Sequence, residues 1–314
     1  GAATELAAGI RTSRPRPLNN SEVMNMTIFV DTQTQLCAVI GNPVAHSLSP
    51  AMHNAAFRAA GLNYVYLAFA VEDLAGCVAG MRALKGFRGL SVTIPHKINI
   101  MAHLDAIDPL ARNVGCVNTV INDNGSLTGF ITDGLGTLRA FEQANVSLDD
   151  KSILFVGTGG AARAVAFAIT GECSPRAVRI LGRTPSRMEQ LVADVAATTN
   201  TLVLGGSLQD DLEQAVAQSE VIIQATPIGM HGHAEGDSPV PAALLRPEHI
   251  VFDMVYRPMK TQFILDAEAA GCITILGLEM LLNQAVLQFE RWTNTNAPES
   301  VMRDALVAAL QIST

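Results

Sequence analysis

The chain has 314 residues, which is long enough for two domains of ordinary size, each with its own hydrophobic core. Apolar residues make up 49% and charged residues 16% of the sequence, a globular composition whose longest apolar runs are too short or too interrupted to span a bilayer. The net charge of −8 argues against nucleic acid or an anionic membrane as the main partner, and any anionic ligand must be held by locally concentrated cations and hydrogen-bond donors.

The first thirty residues differ from the rest. Residues 1–26 lack an apolar stretch of signal-peptide length and show no lasting periodicity. Residues 1–30 are therefore expected to be a disordered extension, a tag remnant or part of a transit sequence. The expected location is the cytoplasm, or a plastid if this segment is a transit remnant.

The cysteines and histidines do not form a pattern that binds metal. The five cysteines are scattered, odd in number and never in a C-x-x-C pair, which favours buried thiols in a reducing compartment. His231 and His233 form an H-x-H without any supporting cysteine or acidic cluster. A loop is expected there, and no metal site.

Short β-rich runs alternate with helical patterns in the first half of the chain. Strands are predicted over residues 36–40, 64–69, 90–93 and 117–121, and helices over 50–60, 72–84 and 95–104. This alternation predicts an α/β layer structure with a largely parallel sheet.

A second series of strands begins at residue 152. Nearly continuous apolar runs cover residues 153–156, 178–181, 202–204, 221–225, 251–254 and 273–276, as expected when helices cover both faces of a sheet. The second unit is predicted to be a doubly wound nucleotide-binding domain. A long helical region follows over 278–312, interrupted near 294–298, and could pack back on the first unit.

A glycine-rich turn opens the second unit. After the strand at 153–156, Gly157, Gly159 and Ala162 satisfy the G-x-G-x-x-A pattern. Gly157 permits the tight turn, Gly159 lets the backbone approach a pyrophosphate, and Ala162 allows close helix–strand packing. The helix start then offers free N–H groups to an anion, so this loop predicts a dinucleotide site.

The end of the next strand indicates which dinucleotide binds. NAD sites usually place Asp or Glu about twenty residues after the loop. Here the strand is followed by Arg183, Thr184 and Arg187, with no acid. Guanidinium groups can bind a 2′-phosphate that a carboxylate would repel, so NADP is predicted. The alternative is that these arginines are ordinary solvated side chains at a helix start.

Polar residues also follow the first predicted strand. Ser49 and Pro50 have a structural interpretation as a helix N-cap and first helical residue, but Ser47 has no such role. Hydroxyl groups beside a helix start can bind a substrate carboxylate without a cation.

Lys97 and Asp133 are the candidates for proton transfer. Pro95 predicts a helix start that places Lys97 in the first turn, where the helix dipole should lower its pKa. Asp133 could simply cap the next helix, although a catalytic lysine needs a carboxylate partner.

Taken together, these residues resemble the shikimate dehydrogenase family from about residue 37 to residue 292. The matching stretches are G-N-P-V-A-H-S-L-S-P-A-M-H-N at 41–54, S-V-T-I-P-H-K at 91–97, G-C-V-N-T at 115–119, T-D-G at 132–134, G-T-G-G-A-A-R at 157–163, A-T-P-I-G-M at 225–230, D-M-V-Y-R-P at 253–258 and G-L-E-M-L-L-N-Q-A at 277–285.

The resemblance implies a function and a set of sites. The reaction is the reversible, NADP-dependent reduction of 3-dehydroshikimate to shikimate, with Lys97 and Asp133 as the catalytic pair. The implied substrate-binding residues are Ser47, Ser49, Ser91, Thr93, Asn118, Tyr256 and Gln284. The implied cofactor-binding residues are Gly157, Thr158, Gly159, Gly160, Ala161, Arg183, Thr184, Arg187, Ala225, Thr226, Met254 and Gly277. The family's architecture implies a substrate domain of residues 31–132 and 277–314, with the NADP domain, 133–276, inserted between them.

Four positions depart from the commonest family pattern. Ser91, Ile131, Gly182 and Gln224 each stand where the family usually has Asn. The changes at 182 and 224 concern cofactor contacts, whereas Ile131 could alter the substrate pocket.

Two alternatives to a shikimate dehydrogenase remain open from the sequence. One is a quinate or mixed quinate/shikimate dehydrogenase, and the other is a non-catalytic ligand-sensing relative, although that relative would not need both Lys97 and Asp133. The family contains monomers and dimers, so a homodimer is among the expectations.

Overall fold

The structure is a computed structural model that describes residues 30–312. All but the last residue of the extension expected over 1–30 therefore lies outside the described residues. Within the described part of the chain, the helices are too short or too polar to cross a membrane. Two six-stranded sheets organise these residues.

The first sheet is mixed. Its strands are β1 (Gln35–Gly41), β2 (Tyr64–Ala70), β3 (Phe87–Val92), β4 (Ala106–Ile107), β5 (Thr119–Asp123) and β6 (Ser126–Phe130), in the order β2-β1-β3-β5-β6-β4. The helices of this region are α1 (Ser49–Ala59), α2 (Leu74–Ala83) and α3 (Pro109–Val114). Strands β1, β2 and β3 are parallel, whereas β5 is antiparallel to both β3 and β6. The largely parallel sheet predicted from the sequence thus contains an antiparallel hairpin, β5–β6, and ends in the short strand β4, which is parallel to β6.

The helix predicted over residues 95–104 is wrong. Only a short 3₁₀ helix, Asn99–His103, forms there. The Lys97 carbonyl accepts a hydrogen bond from the Val117 N–H at 2.8 Å, across to another segment. That carbonyl therefore accepts a tertiary hydrogen bond instead of the hydrogen bond that it would accept from the N–H four residues later in an α-helix.

The second sheet is entirely parallel. Its strands are β7 (Ser152–Val156), β8 (Ala177–Gly182), β9 (Leu202–Ser207), β10 (Val221–Gln224), β11 (Ile250–Asp253) and β12 (Ile273–Ile275). Helices α4 (Asp133–Gln143), α5 (Gly160–Glu172), α6 (Pro185–Ala196), α7 (Leu212–Ala217) and α8 (Gln262–Ala269) belong to this part of the chain, with a 3₁₀ turn at Ala242–Leu244. The order β9-β8-β7-β10-β11-β12 is the 3-2-1-4-5-6 order of a doubly wound fold, so the predicted fold class is confirmed.

The long C-terminal helical region returns to the first sheet, as the sequence suggested. It forms α9 (Gly277–Thr293) and α10 (Glu299–Ile312), which bury Phe289 and Trp292 against residues of β1 and β2. The Trp292 indole donates to the Val120 carbonyl at 3.1 Å, and it packs where a side chain at Gly89 would collide with it. Helix α9 also lies against α4, and this contact brings the C-terminal region beside Asp133.

Candidate active site

One cavity collects the predicted catalytic and substrate-binding residues. It has a volume of about 290 Å³ and lies where β1 and β3 end and α4 and α9 pass each other. All nine of those predicted residues line it: Ser47, Ser49, Ser91, Thr93, Lys97, Asn118, Asp133, Tyr256 and Gln284. These residues come from six separate stretches of the chain, so the fold brings together residues that are far apart in the sequence.

Lys97 and Asp133 form an ion pair at the edge of this cavity. Lys97 Nζ donates to Asp133 Oδ2 at 2.7 Å, with the two side chains 30% and 14% exposed. Burial alone would lower the pKa of Lys97, but the charge of Asp133 and its hydrogen bond outweigh burial, so the pKa is raised. The predicted lowering of the pKa is therefore wrong, because Lys97 lies in a turn before the 3₁₀ helix and faces a carboxylate.

Asp133 does not cap its helix. It is the first residue of α4, Thr132 occupies the N-cap position, and neither side chain makes a capping hydrogen bond. The second carboxylate oxygen of Asp133, Oδ1, instead accepts from Asn118 Nδ2 at 2.9 Å. Both carboxylate oxygens therefore face the cavity residues, as an orienting partner for Lys97 requires.

Asn118 is held in one orientation. Its Oδ1 accepts from the backbone N–H of Thr132 at 2.9 Å and from Thr119 Oγ1 at 2.7 Å. Since a backbone N–H can only donate, the amide oxygen must face Thr132 and the NH₂ group must face Asp133. The two amide hydrogens donate to Asp133 and to Thr132 Oγ1, so they fix the position of the carboxylate.

A buried hydrogen-bond network continues from Asn118 under the cavity. Gln288 Nε2 donates to Thr119 Oγ1 at 2.9 Å, and Gln288 Oε1 accepts from Ser91 Oγ at 2.8 Å. Ser91 in turn accepts from the Tyr66 hydroxyl at 2.6 Å. Because the only hydroxyl hydrogen of Ser91 is committed to Gln288, Ser91 can offer a ligand only a lone pair.

Gln288 also lines the cavity, although the sequence-based prediction missed it. It lies four residues after Gln284 on α9, and residues at that spacing share a helix face. This spacing is the signal that could have identified it. Other lining residues that were missed include His46, Met280 and Leu281.

The serines after β1 differ from their predicted arrangement. Leu48 is at the N-cap position of α1, and Ser49 and Pro50 are its first two residues, so Ser49 is not the cap. Ser47 Oγ accepts from the Ser49 N–H at 3.3 Å, which gives Ser47 the local role that the sequence did not suggest. Both hydroxyl groups nevertheless line the cavity.

The residues predicted to bind the cofactor surround the end of β7. A second cavity, of about 380 Å³, is lined by Thr158, Gly159, Gly160, Arg163, Ser186, Arg187, Gln190 and Leu191. Gly157 has a φ of +117°, and a side chain there would meet Ala225 and Thr226 at 2.8–2.9 Å, so the turn requires glycine. A side chain at Gly159 or Gly160 would meet almost nothing, which leaves the backbone open to a ligand.

The remaining predicted cofactor residues lie around this loop. Arg183 and Thr184 are exposed at the start of α6, and neither lines the second cavity. Ala161 is the second residue of α5. Gly277 lines the first cavity and packs against the carbonyl of Met254, where a side chain would lie 2.7 Å from that oxygen.

Besides Ser91, three residues depart from the family pattern, and their neighbours show what each one contacts. Ile131 is 2% exposed, belongs to the hydrophobic core and does not line the first cavity, so it does not alter the pocket wall directly. A Cβ at Gly182 would lie 2.8 Å from Thr158 Cγ2, so a larger residue here must displace the threonine side chain of the glycine loop. Gln224 Oε1 accepts from the Thr226 N–H, and Nε2 donates to the Ile228 carbonyl, so it orders the loop after β10.

Family models match three regions of the chain. The "Shikimate dehydrogenase substrate binding domain" matches residues 39–120, "Shikimate / quinate 5-dehydrogenase" matches 139–230, and "Shikimate 5'-dehydrogenase C-terminal domain" matches 277–307. A protein from Moorella thermoacetica named shikimate dehydrogenase (NADP(+)) is 43% identical over 291 residues, covering 91% of this chain and 97% of the relative.

Solved structures are similar over the same length. Shikimate 5-dehydrogenase from Listeria monocytogenes, in complex with shikimate and NAD, is 39% identical with a TM-score of 0.85 and covers 90% of this chain and 99% of its own. The Thermus thermophilus enzyme, in complex with NADP(H) and shikimate, is 36% identical with a TM-score of 0.78 and covers 88% and 99%.

Proposed function

We propose, from the premise that the chain belongs to the shikimate dehydrogenase family, that it catalyses the reversible NADP-dependent reduction of 3-dehydroshikimate to shikimate. The observation that carries the proposal is the Lys97–Asp133 ion pair at 2.7 Å in a cavity between two sheets. An amine from the turn after β3 and a carboxylate from the first residue of α4 meet there.

Lys97 carries the proton in this proposal. Bound NADP supplies the hydride acceptor or donor. In the reducing direction Lys97, kept protonated by its raised pKa, gives a proton to the ring oxygen, and in the oxidising direction it takes that proton back. Asp133 orients Lys97 and balances its charge, while Asn118 keeps the carboxylate facing the ammonium group.

The substrate carboxylate binds beside the start of α1. Ser47 and Ser49 place two hydroxyl groups there, and the helix start adds its positive end. Among the described residues lining the first cavity, only Lys97 and His46 can carry positive charge, and Lys97 is already paired. Thr93, Tyr256 and Gln284, with Ser91 as an acceptor, are left for the ring hydroxyls.

The residues around the glycine loop fit NADP. Gly159 and Gly160 leave the backbone open to a pyrophosphate, and Arg187 lines the same cavity, which supports its proposed role in binding the ribose 2′-phosphate. We expect Arg187→Ala to lower kcat/KM for NADP about tenfold or more and to affect NAD much less, because the lost charge-assisted bond serves only the 2′-phosphate.

Steady-state kinetics with two acids and two cofactors test the function. Shikimate and quinate are each assayed with NADP and with NAD. We expect the highest kcat/KM for shikimate with NADP. A higher value for quinate would instead assign the chain to the quinate-active relatives, and inactivity with all four pairs would favour a ligand-sensing role.

The described residues divide into two parts under this proposal. Residues 31–132 and 277–312 form the described part of the substrate domain, and residues 133–276 form the NADP domain between them. The separate sheets support this division, as does the return of α9 and α10 to β1 and β2.

The cytoplasm is the proposed location, in keeping with the five free thiols. Cell fractionation tests that location.

A homodimer through β2 completes the proposal. This strand is an edge of its sheet, has no charged residue, and leaves Leu67 and Phe69 43% and 41% exposed. Unprotected edges of this kind pair with other strands, and antiparallel pairing of two identical edges closes a twofold dimer. Light scattering should give a dimer mass for the wild type and a monomer mass for Leu67→Lys. A monomeric wild type would refute it.

A further inference from the structure

Arg163 connects the cofactor cavity to the substrate side of the molecule. It is the fourth residue of α5, the helix that begins in the glycine loop, and it lines the cofactor cavity. Its Nε donates to the Val114 carbonyl at 2.5 Å, and its Nη2 donates to the Asn113 carbonyl at 3.3 Å. These carbonyls lie at the end of α3, where helix carbonyls lack partners and the helix dipole favours a cation.

The segment held by Arg163 leads directly to the catalytic pair. We call residues 113–118 the connecting segment. Val117 donates its N–H to the Lys97 carbonyl at 2.8 Å, and Asn118 donates its side-chain amide to Asp133. Asn113 is only five residues from Asn118, so their Cα atoms are at most about 18 Å apart. The connecting segment therefore runs from the Arg163 contact to the backbone of Lys97 and the carboxylate of Asp133.

A third contact fixes the guanidinium from the other side. Arg163 Nη1 pairs with Asp194 Oδ2 on α6 at 2.5 Å, and the group stacks 4.9 Å from the Phe167 ring centre. The side chain is 29% exposed. The planar guanidinium of Arg163, on α5, thus contacts both α6 and the end of α3. A lysine could not make all of these contacts, because its donors are on one nitrogen atom.

We propose that Arg163 is a positioning residue that keeps the connecting segment in register with the cofactor loop, and through it keeps Lys97 and Asp133 in place. The inference rests on the proposed dehydrogenase function. It goes beyond that function by linking occupancy of the glycine loop to the geometry of the proton-transfer pair.

The test compares three variants of the whole chain. Arg163→Met removes the guanidinium and keeps an apolar side chain of similar length. Arg163→Lys keeps the positive charge but removes the guanidinium. Asp194→Asn is the matched control, because it removes the ionic partner while an amide oxygen can still accept from Arg163. The measurements are kcat, KM for each ligand, the melting temperature, and hydrogen exchange of residues 113–118 with and without NADP⁺.

We expect Arg163→Met to lower kcat about tenfold with less than about a threefold change in KM for NADP, because misplaced catalytic groups lower turnover more than binding. In the wild type, NADP⁺ should slow exchange of the connecting segment. The variant should lose that protection while still binding NADP⁺ by calorimetry. Arg163→Lys should show about a threefold loss in kcat, and Asp194→Asn should stay within about twofold of wild type.

Three results would overturn the inference. A raised KM for NADP with normal kcat and normal protection would make Arg163 a simple cofactor contact. A lower melting temperature with normal kcat would make it only structural. If Arg163→Met does not fold, Arg163→Lys decides instead. Wild-type kcat and wild-type protection of the connecting segment in Arg163→Lys would then overturn the inference. A wild type that neither binds NADP⁺ nor oxidises shikimate would refute the proposed function instead.

Discussion

Replacing Asp133 with Asn should shift the pH at which Lys97 gains its proton. Oxidation of shikimate needs a neutral Lys97 amine, and the raised pKa of Lys97 keeps that amine protonated at neutral pH. The substitution removes the charge that raises the pKa but leaves the burial that lowers it. The rising limb of the oxidation rate against pH should therefore move to lower pH.

The size of the effect on the oxidation rate follows from the 2.7 Å separation of Lys97 Nζ and Asp133 Oδ2. Two unit charges at this distance attract by about 1.5 kcal/mol at the dielectric constant of water and about 6 kcal/mol at an effective value of 20. Lys97 is 30% exposed, so solvent screening favours the lower part of this range. Because about 1.4 kcal/mol corresponds to a factor of ten, losing about 1.5 kcal/mol of attraction should raise kcat for oxidation about tenfold at a pH on the rising limb.

The assay measures kcat for shikimate oxidation against pH at saturating NADP for the wild type and for Asp133→Asn. Asp105→Asn is the matched control, because Asp105 pairs with Arg82 on the surface, away from the cavity. The pKa of Lys97 is followed independently by NMR of its labelled ε-carbon. An unchanged limb and an unchanged NMR pKa in Asp133→Asn would refute the role of Asp133 in setting the charge of Lys97.

Three further substitutions test the site. Lys97→Ala should lower kcat at least about a hundredfold with little change in KM for shikimate, and near-normal turnover would reject Lys97 as the proton carrier. Gln288→Leu should lower the free energy of unfolding by about 1–3 kcal/mol, measured in urea, because the buried Ser91 hydroxyl loses its acceptor. Gly182→Asn should raise KM for NADP, since its side chain meets Thr158. Adding Thr158→Ala should restore KM if that contact is the cause.

The nucleotide-binding half was predicted well because its signals are local. Its buried parallel strands appear in the sequence as continuous apolar runs, and the glycine turn identifies the first of them. The β5–β6 hairpin was only half predicted, with β6 missed. Asn124 and Gly125 both have positive φ between these strands, and this Asn-Gly pair was the signal available for the hairpin.

The errors arose where tertiary contacts override local preference. Pro95 suggested a helix start, but the Lys97 carbonyl bonds to Val117 instead, so the lysine feels Asp133 and not a helix dipole. The direction of its pKa shift reverses for that reason. The predicted N-cap was also wrong, because Leu48 and not Ser49 is at the N-cap position of α1. For Lys97, a contact from a distant segment, which no local pattern reveals, decided the outcome.

The departures from the family pattern are not independent of their surroundings. Ser91 Oγ lies 2.6 Å from the Tyr66 hydroxyl and 2.8 Å from Gln288 Oε1, so an asparagine there must displace one of them. Gly182 is tied in the same way to Thr158. Restoring the common residue alone should therefore cost activity in this chain even though relatives use it, because side chains in contact do not contribute additively. The residue at 91 or 182 must be compared between family members together with its partner.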